Sequence, residues 1–363
     1  MIPYLFEKDA TTFETCGLGA LPSWIADTIE VVEEENGEYY LHGELPVGGL
    51  HVDELAEERI IWSAPAPGEP AQPFRIRRVE KPDESDKVQV TAHHVSYQLT
   101  ENICKPTSFR TASAQQALDW LTGQGHMVPQ IDTTLWSFGS DIVLAEPVQI
   151  DPDQPMSVRA TLGGEEKSLV DIFGGELEWD NWAVLLNQRR GSDTGKVIRY
   201  AVNLESVSFV VDVAGLITCY YGYWRDSDGG FYKDARIDMP NIGDYAYPRV
   251  AVVDLSGKVE YDDSTQNAPT DAQMLAALQA YVDERDENHL YMYITTGAVP
   301  DDLQDLKLCD TATVIHPNYD MNQTVKLVKT VFDPIKEKYK QLTFGELQRN
   351  ITDTIAGLLR GVK

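Results

Sequence analysis

The chain has 363 residues, with 30 Lys+Arg against 58 Asp+Glu, 42% hydrophobic and 9% aromatic residues. Single cores stop growing near roughly 250–300 residues, so at least two domains are expected, and the apolar content excludes bulk disorder. A formal charge of −28 argues against static binding to nucleic acid or to an anionic membrane, although nucleic acid could still slide through a passive conduit.

The first hundred residues carry β patterns. Runs at 29–32 and 39–45 flank Asn36-Gly37, a strong short hairpin signal. Further strand-like runs at 59–63, 72–79 and 87–97 alternate with Pro, Gly and Asp, as in a small barrel or sandwich. Glu33-Glu34-Glu35 falls on the hairpin turn, where solvation is the simplest expectation.

After Cys104-Lys105-Pro106 the character changes. Ser113 and Gln116 have capping-box spacing ahead of a helical repeat of Ala114, Ala117, Leu118 and Leu121. A second helix is predicted over 157–173, stopped by Gly174-Gly175, and then a strand pair around Asp180-Asn181. From 196 strands return at 197–202, 206–213, 216–224 and 249–254. Thr270 and Gln273 form another capping box, opening a helix with Met274, Leu275, Leu278, Tyr281 and Val282 on one stripe. Strands follow at 290–295, 311–316 and 324–332, and 344–362 reads as an amphipathic helix.

Charge is uneven. Residues 324–363 hold eight basic and four acidic side chains, a net of +4, against −32 for the remainder. Such a tail could dock on an acidic surface of a neighbouring copy, whereas a solvated helix face is the simpler expectation.

No catalytic or metal-ligating set emerges. The seven histidines, at 42, 51, 93, 94, 126, 289 and 316, have no paired ligand spacing, and adjacent His93 and His94 point to opposite faces of a strand. The four cysteines, Cys16, Cys104, Cys219 and Cys309, are expected to be buried free thiols. Asp226-Ser-Asp228 lacks the rest of a calcium loop, and the acids at 283–287 end a helix and should be hydrated. No nucleophile elbow, phosphate loop or dinucleotide fingerprint is present. Catalytic, cofactor and metal residues are therefore none. Without a signal-peptide core or an apolar run of spanning length, the product is expected to be soluble and made in the cytoplasm.

Three dispersed segments carry a resemblance. Residues 163–191 include Gly174-Gly175-Glu176-Leu177-Glu178 and Arg189-Arg190-Gly191, running on to Asn203-Leu204. Residues 306–317 include Leu308-Cys309-Asp310, and 326–345 include Val331-Phe332-Asp333 and Phe344-Gly345. Together with the N-terminal hairpin, this order resembles the phage and prophage tail-endopeptidase family of tail-associated hub proteins. Cys309 stands where a glycine is usual, which suggests a turn without positive φ. Relatives often carry a C-terminal hydrolase or host-binding stalk, whereas this sequence stops at Lys363, so no hydrolase residues carry over and no enzyme activity is expected.

The resemblance implies an α+β, mainly β subunit like those of contractile-tail hubs. It would hold two similar β-barrels (1–104 and 195–345, the latter with an inserted helix at 270–285), an α/β insertion (105–194) and a C-terminal helix (346–363). The implied function is a trimeric baseplate or tail-tip hub that closes the distal end of the tail tube and adapts sixfold to threefold symmetry. Implied partners are the distal tail protein or a tube ring, the tape-measure protein and receptor-binding or fibre proteins, with DNA only in transit. The implied location is the virion, after synthesis in the bacterial host. Alternatives are a tail-associated peptidoglycan hydrolase and a β-rich carbohydrate-binding tail module.

Overall fold

In a computed structural model, residues 1–82, 85–106, 108–123, 127–128, 133–150, 154–165, 167–199, 207–212, 216–226, 232–259, 268–283, 291–296, 299–316 and 321–345 are described. The helix expected at 346–363, His126, His289 and most of the acidic tips at 226–228 and 283–287 lie outside them. The chain divides into two compact units, Met1–Phe209 with Tyr293–Lys363, and Val210–Met292. No described helix is long and apolar enough to cross a membrane.

The first unit opens with β1 (Tyr4–Phe6), β2 (Gly19–Ala20), β3 (Glu30–Glu34), β4 (Tyr39–Pro46), β5 (Ile60–Ser63), β6 (Gln72–Glu80) and β7 (Lys87–His94). Alternation drives β4, where Tyr39, Leu41, Gly43 and Leu45 are buried and Tyr40, His42 and Glu44 between them are only partly so. The run predicted to extend to Tyr97 leaves the strand at His94 for a 3₁₀ segment, Val95–Thr100, because the His94 ring accepts the Ser96 amide proton.

The next stretch holds β8 (Ile103–Cys104), β9 (Phe109–Ser113), α1 (Ala114–Thr122), β10 (Met127–Val128), β11 (Ser137–Ser140), β12 (Val143–Ile150), β13 (Met156–Ser157), α2 (Val158–Leu162), α3 (Leu169–Phe173), β14 (Glu176–Asp180) and β15 (Ala183–Asn187). The single helix expected over 157–173 is two short ones. Gly164 (φ 94°) and Lys167 (φ 66°) interrupt it, and Ser157 and Ser168 each cap a new start by accepting an amide proton three residues on. The Ser113 capping box is one-sided: its hydroxyl accepts from the Gln116 amide, but the Gln116 side chain turns to the Thr111 hydroxyl at 2.7 Å. Apolar side chains of both regions, among them Leu41, Phe74, Leu118 and Leu177, fill one continuous core.

The chain continues through β16 (Asp193–Arg199), β17 (Val207–Asp212), β18 (Cys219–Arg225), β19 (Tyr232–Asp238), β20 (Val250–Asp254), α4 (Asp271–Asp283), β21 (Tyr291–Thr296), β22 (Thr311–His316), β23 (Met321–Asp333) and β24 (Lys338–Gly345). Strands from both ends of the sequence join in a thirteen-stranded sheet ordered β17-β21-β24-β23-β3-β4-β7-β6-β5-β1-β2, with β22 on β23 and β16 on β22. Its N-terminal and C-terminal strand sets meet at one ladder, β3 against β23, with Val31 opposite Phe332 and Glu34 opposite Lys329. The molecule is thus mainly β, and no closed barrel is seen among the described residues.

In the second unit α4 packs on a sheet ordered β19-β18-β20. The Thr270–Gln273 box closes in both directions here, with amide-to-side-chain bonds of 2.8 and 3.2 Å. The buried stripe of α4 is narrower than expected: Met274, Leu278 and Val282 are inside, while Leu275 is 49% exposed. Strand β19 was not anticipated, because its alternation of Tyr, Asp and Arg is polar.

Candidate functional site: the junction of β3, β14 and β23

Strand β23 changes partners halfway. On the edge opposite β24, residues 321–326 pair with β22, whereas 329–332 pair with β3. At the change-over Leu327 exchanges backbone bonds with Cys309 and Asp310, and the Val328 carbonyl accepts the Glu35 amide proton at 2.9 Å. Two sheet ladders and the insertion therefore converge at one point.

Charged side chains fill it. Arg190 Nη1 donates to Glu33 Oε1 at 2.7 Å, and Glu33 is 5% exposed. Lys326 Nζ donates to Glu35 Oε1 at 2.5 Å and Glu176 Oε1 at 3.0 Å, while the other Glu176 oxygen accepts the Arg190 amide at 2.6 Å. Burial disfavours the Arg190 charge, but the Glu33 carboxylate outweighs it and holds the guanidinium above the usual arginine range. Burial likewise opposes the charges of Glu176 and Lys326; the hydrogen bonds of Glu176 and the carboxylates beside Lys326 prevail, so the acid is shifted down and the amine up. Glu33-Glu34-Glu35 is consequently not the solvated turn that the sequence suggested, since Lys329 pairs with Glu34 at 2.6 Å as well.

The Glu35, Glu176 and Cys309 ligand atoms lie within 4.8 Å of one another, but the Lys326 ammonium supplies the cation between the two carboxylates. Burial and the charges of Glu35 and Glu176 push the Cys309 thiol well up, so it stays a neutral core group. Cys309 has φ 72°, which corrects the expectation of a turn without positive φ: the glycine-like conformation is kept and a buried side chain bears the strain. Gly191 packs flat on it, and a Cβ there would lie 2.1 Å from the Cys309 carbonyl carbon. Ser192 donates both its amide and its hydroxyl to Asp310 Oδ1, at 2.7 and 3.0 Å. At Gly175 (φ 90°) a Cβ would meet the Asn187 carbonyl oxygen at 2.6 Å. The sequence blocks Gly174–Glu178, Arg189–Gly191 and Leu308–Asp310 are thereby one contact in space.

Two residues of the junction had no sequence signal beyond turn chemistry. Asn36 (φ 51°) does more than turn the hairpin: its side-chain Nδ2 donates to the Gly175 carbonyl at 3.2 Å and its Oδ1 accepts the Leu177 amide proton at 2.7 Å. Arg159, 6% exposed, lies 3.9 Å over the Tyr97 ring and 4.6 Å over that of Trp179, and donates to Ser96 Oγ and the Gly37 carbonyl.

The basic stretch also finds partners within the chain. Lys340 bonds Glu30 at 3.2 Å, Lys338 bonds Asp301 at 2.9 Å, and Lys336 pairs with Asp27. Lys336 and Lys338 nevertheless stay exposed beside these partners, at 51% and 59%.

Among the described residues the histidines and cysteines stay dispersed. His42 contacts Thr91 at 3.1 Å, His51 contacts Glu54 at 2.7 Å, and His94 is buried against Gln72. Burial lowers His93 to about 4, so it is neutral near pH 7. Cys104, Cys219 and Cys309 are buried; Cys16 is exposed, against expectation. What this arrangement does chemically is fasten strands together.

The comparisons with known proteins agree with the motif blocks. Residues 192–355 match the family model described as prophage endopeptidase tail. The match covers somewhat less than half of the chain, its C-terminal part. A search of the curated proteins finds no match. Among solved structures the fold is similar to a prophage tail protein from Listeria monocytogenes EGD-e, at 17% identity and TM-score 0.59, covering 99% of both chains. It is also similar to the 43 kDa tail protein of prophage MuSo2 from Shewanella oneidensis, at 10% identity and TM-score 0.55, covering 90% of this chain and 94% of that one. A tail protein from Neisseria meningitidis matches at 10% identity and TM-score 0.55, covering 95% and 96%. The prophage tail fold thus extends over nearly the whole chain.

Proposed function

We propose that this chain is a structural subunit of a phage or prophage tail, a trimeric hub that closes the distal end of the tail tube. The observation that carries the reading is the end-to-end likeness of fold to prophage tail proteins. The junction adds a physical reason. Arg190, Glu33, Lys326 and Glu176 spend their charges on fixing the first and last strand sets to each other, as an assembly part requires.

In this proposal residues 1–104 and the β strands of 195–345 outside Val210–Met292 act as two similar hub domains, with 105–194 as an insertion. Three chains carrying two such domains each present six docking surfaces, which suits a threefold hub beneath a sixfold ring. Its neighbours would be a distal tail protein or tube ring, a tape-measure protein and fibre proteins, in the virion. Acidic side chains would line the channel and keep passing DNA from adhering.

The test is mass and image together. Sedimentation should give a trimer, and labelling of intact particles should mark the tail tip. A monomer at all concentrations, or label elsewhere on the particle, would sink the proposal. Release of muropeptides from peptidoglycan, lost on changing one His or Cys, would favour the hydrolase reading instead.

A further inference from the structure

Among the described residues of the second unit, one face of the sheet carries no packed helix. In β18 the side chains alternate, with Tyr220 and Trp224 buried in the core beside α4 and Tyr221, Tyr223 and Arg225 on the other side. The ladder register sets Tyr232, Asp234 and Arg236 of β19 and Val252 and Asp254 of β20 beside them, with Val250 opposite Cys219. Tyr232 is 53% exposed, Val250 52% and Val252 66%.

The polar groups of this face satisfy one another. Asp234 accepts from the Tyr221 hydroxyl at 2.6 Å, which also bonds that of Tyr232. Asp254 accepts from the Tyr223 hydroxyl and the Ser256 amide, both at 2.9 Å, and Arg236 Nε donates to Asp238 at 2.7 Å. Arg225 stands 5.2 Å over the Tyr223 ring. Two arginines against Asp234, Asp238 and Asp254 leave 2 − 3 = −1, on a chain of net −28.

That combination narrows the occupant. A solvated sheet face normally carries free polar chains, whereas here the three aspartates are tied to Tyr, Ser and Arg partners, and the groups left to meet a partner are Tyr and Arg, enriched at protein contacts, with exposed Val. Copies with charge −28 repel, so contact between them costs least where charge is already cancelled locally. A strongly basic partner, by contrast, would be drawn to the acidic remainder of the surface.

Resting on the trimeric reading above, we infer that this face of the second unit docks a second copy of the chain in the assembled trimer. A closed ring of three needs a heterologous contact, so the face meets a different surface of the neighbouring copy.

The experiment uses the full chain in analytical ultracentrifugation across a concentration series. Tyr232→Glu with Val252→Glu should weaken trimer formation by about thirtyfold or more, the size of a lost hot spot, with circular dichroism unchanged. Val252→Ser, which adds no charge, should weaken it less and guards against misfolding of the first variant. Val143→Glu, at a residue 72% exposed in the first unit, should leave the trimer intact. Trimers of undiminished affinity in both face variants overturn this inference and leave the hub reading standing. A wild-type chain that never trimerises overturns the hub reading itself.

Discussion

The junction of the first unit and the open face of the second are both built from charged groups on β-strands, and they use those groups in opposite ways. At the junction Glu33, Glu35, Glu176, Arg190 and Lys326 come from three distant stretches and are wholly or partly withdrawn from water. Across β18–β20, Asp234, Asp238 and Asp254 find partners on their own or neighbouring strands and remain exposed. The first arrangement fixes long-range topology, because a buried charge tolerates only its partner. The second leaves topology to the core of Tyr220, Trp224, Met274 and Leu278, and makes a surface nearly neutral.

Arg190→Met should give the largest separation between the two regions. It strands Glu33 at 5% exposure, and urea denaturation should register a loss of about 3–5 kcal/mol. A loss below about 1 kcal/mol would mean the junction does not fix the sheet. Gly191→Ala comes next, at about 1–3 kcal/mol, since the new Cβ can be accommodated only by moving the Cys309 backbone. Thermal melting would check it, and an unchanged midpoint would refute the close packing.

Cys309→Gly should be less costly than Cys104→Gly by about 1–2 kcal/mol, because only Cys309 sits at positive φ. Equal losses in denaturant titrations would remove strain from the account.

A pH experiment sharpens the contrast further. Burial, then the charge of Glu34, raises Glu38 to about 7 from 4.5. Between those values the folded chain keeps a proton that the unfolded chain releases, so stability falls as pH rises from about 4.5 to 7. Glu38→Gln should remove that fall, gaining about 1 kcal/mol or less at pH 8 and nothing at pH 4. A variant no more stable at pH 8 than wild type would contradict it. Smallest of all, Asp254→Asn on the open face should shift stability by less than about 0.5 kcal/mol, and a larger loss would mean that face is structurally tied.

The sequence by itself determined what is local. Alternation placed β4 and β7, Asn36-Gly37 placed the hairpin, the Ser and Thr caps placed helix starts, and the order of three motif blocks pointed to the tail family. Each depends on residues within a few positions of one another, where propensity and periodicity act directly. Only the tertiary structure decided that Glu33 would be buried rather than solvated, that Lys326 and Lys329 would pair with acids of the same chain, and that Cys309 would keep a glycine-like φ. Partners such as Glu33 and Arg190, 157 positions apart, have no local signature, since the free energy that favours them exists only after the sheet has brought them together. The open face was hidden for a related reason. Alternating Tyr, Asp and Arg in β19 satisfy each other only across a ladder, and one strand read alone cannot reveal its neighbour.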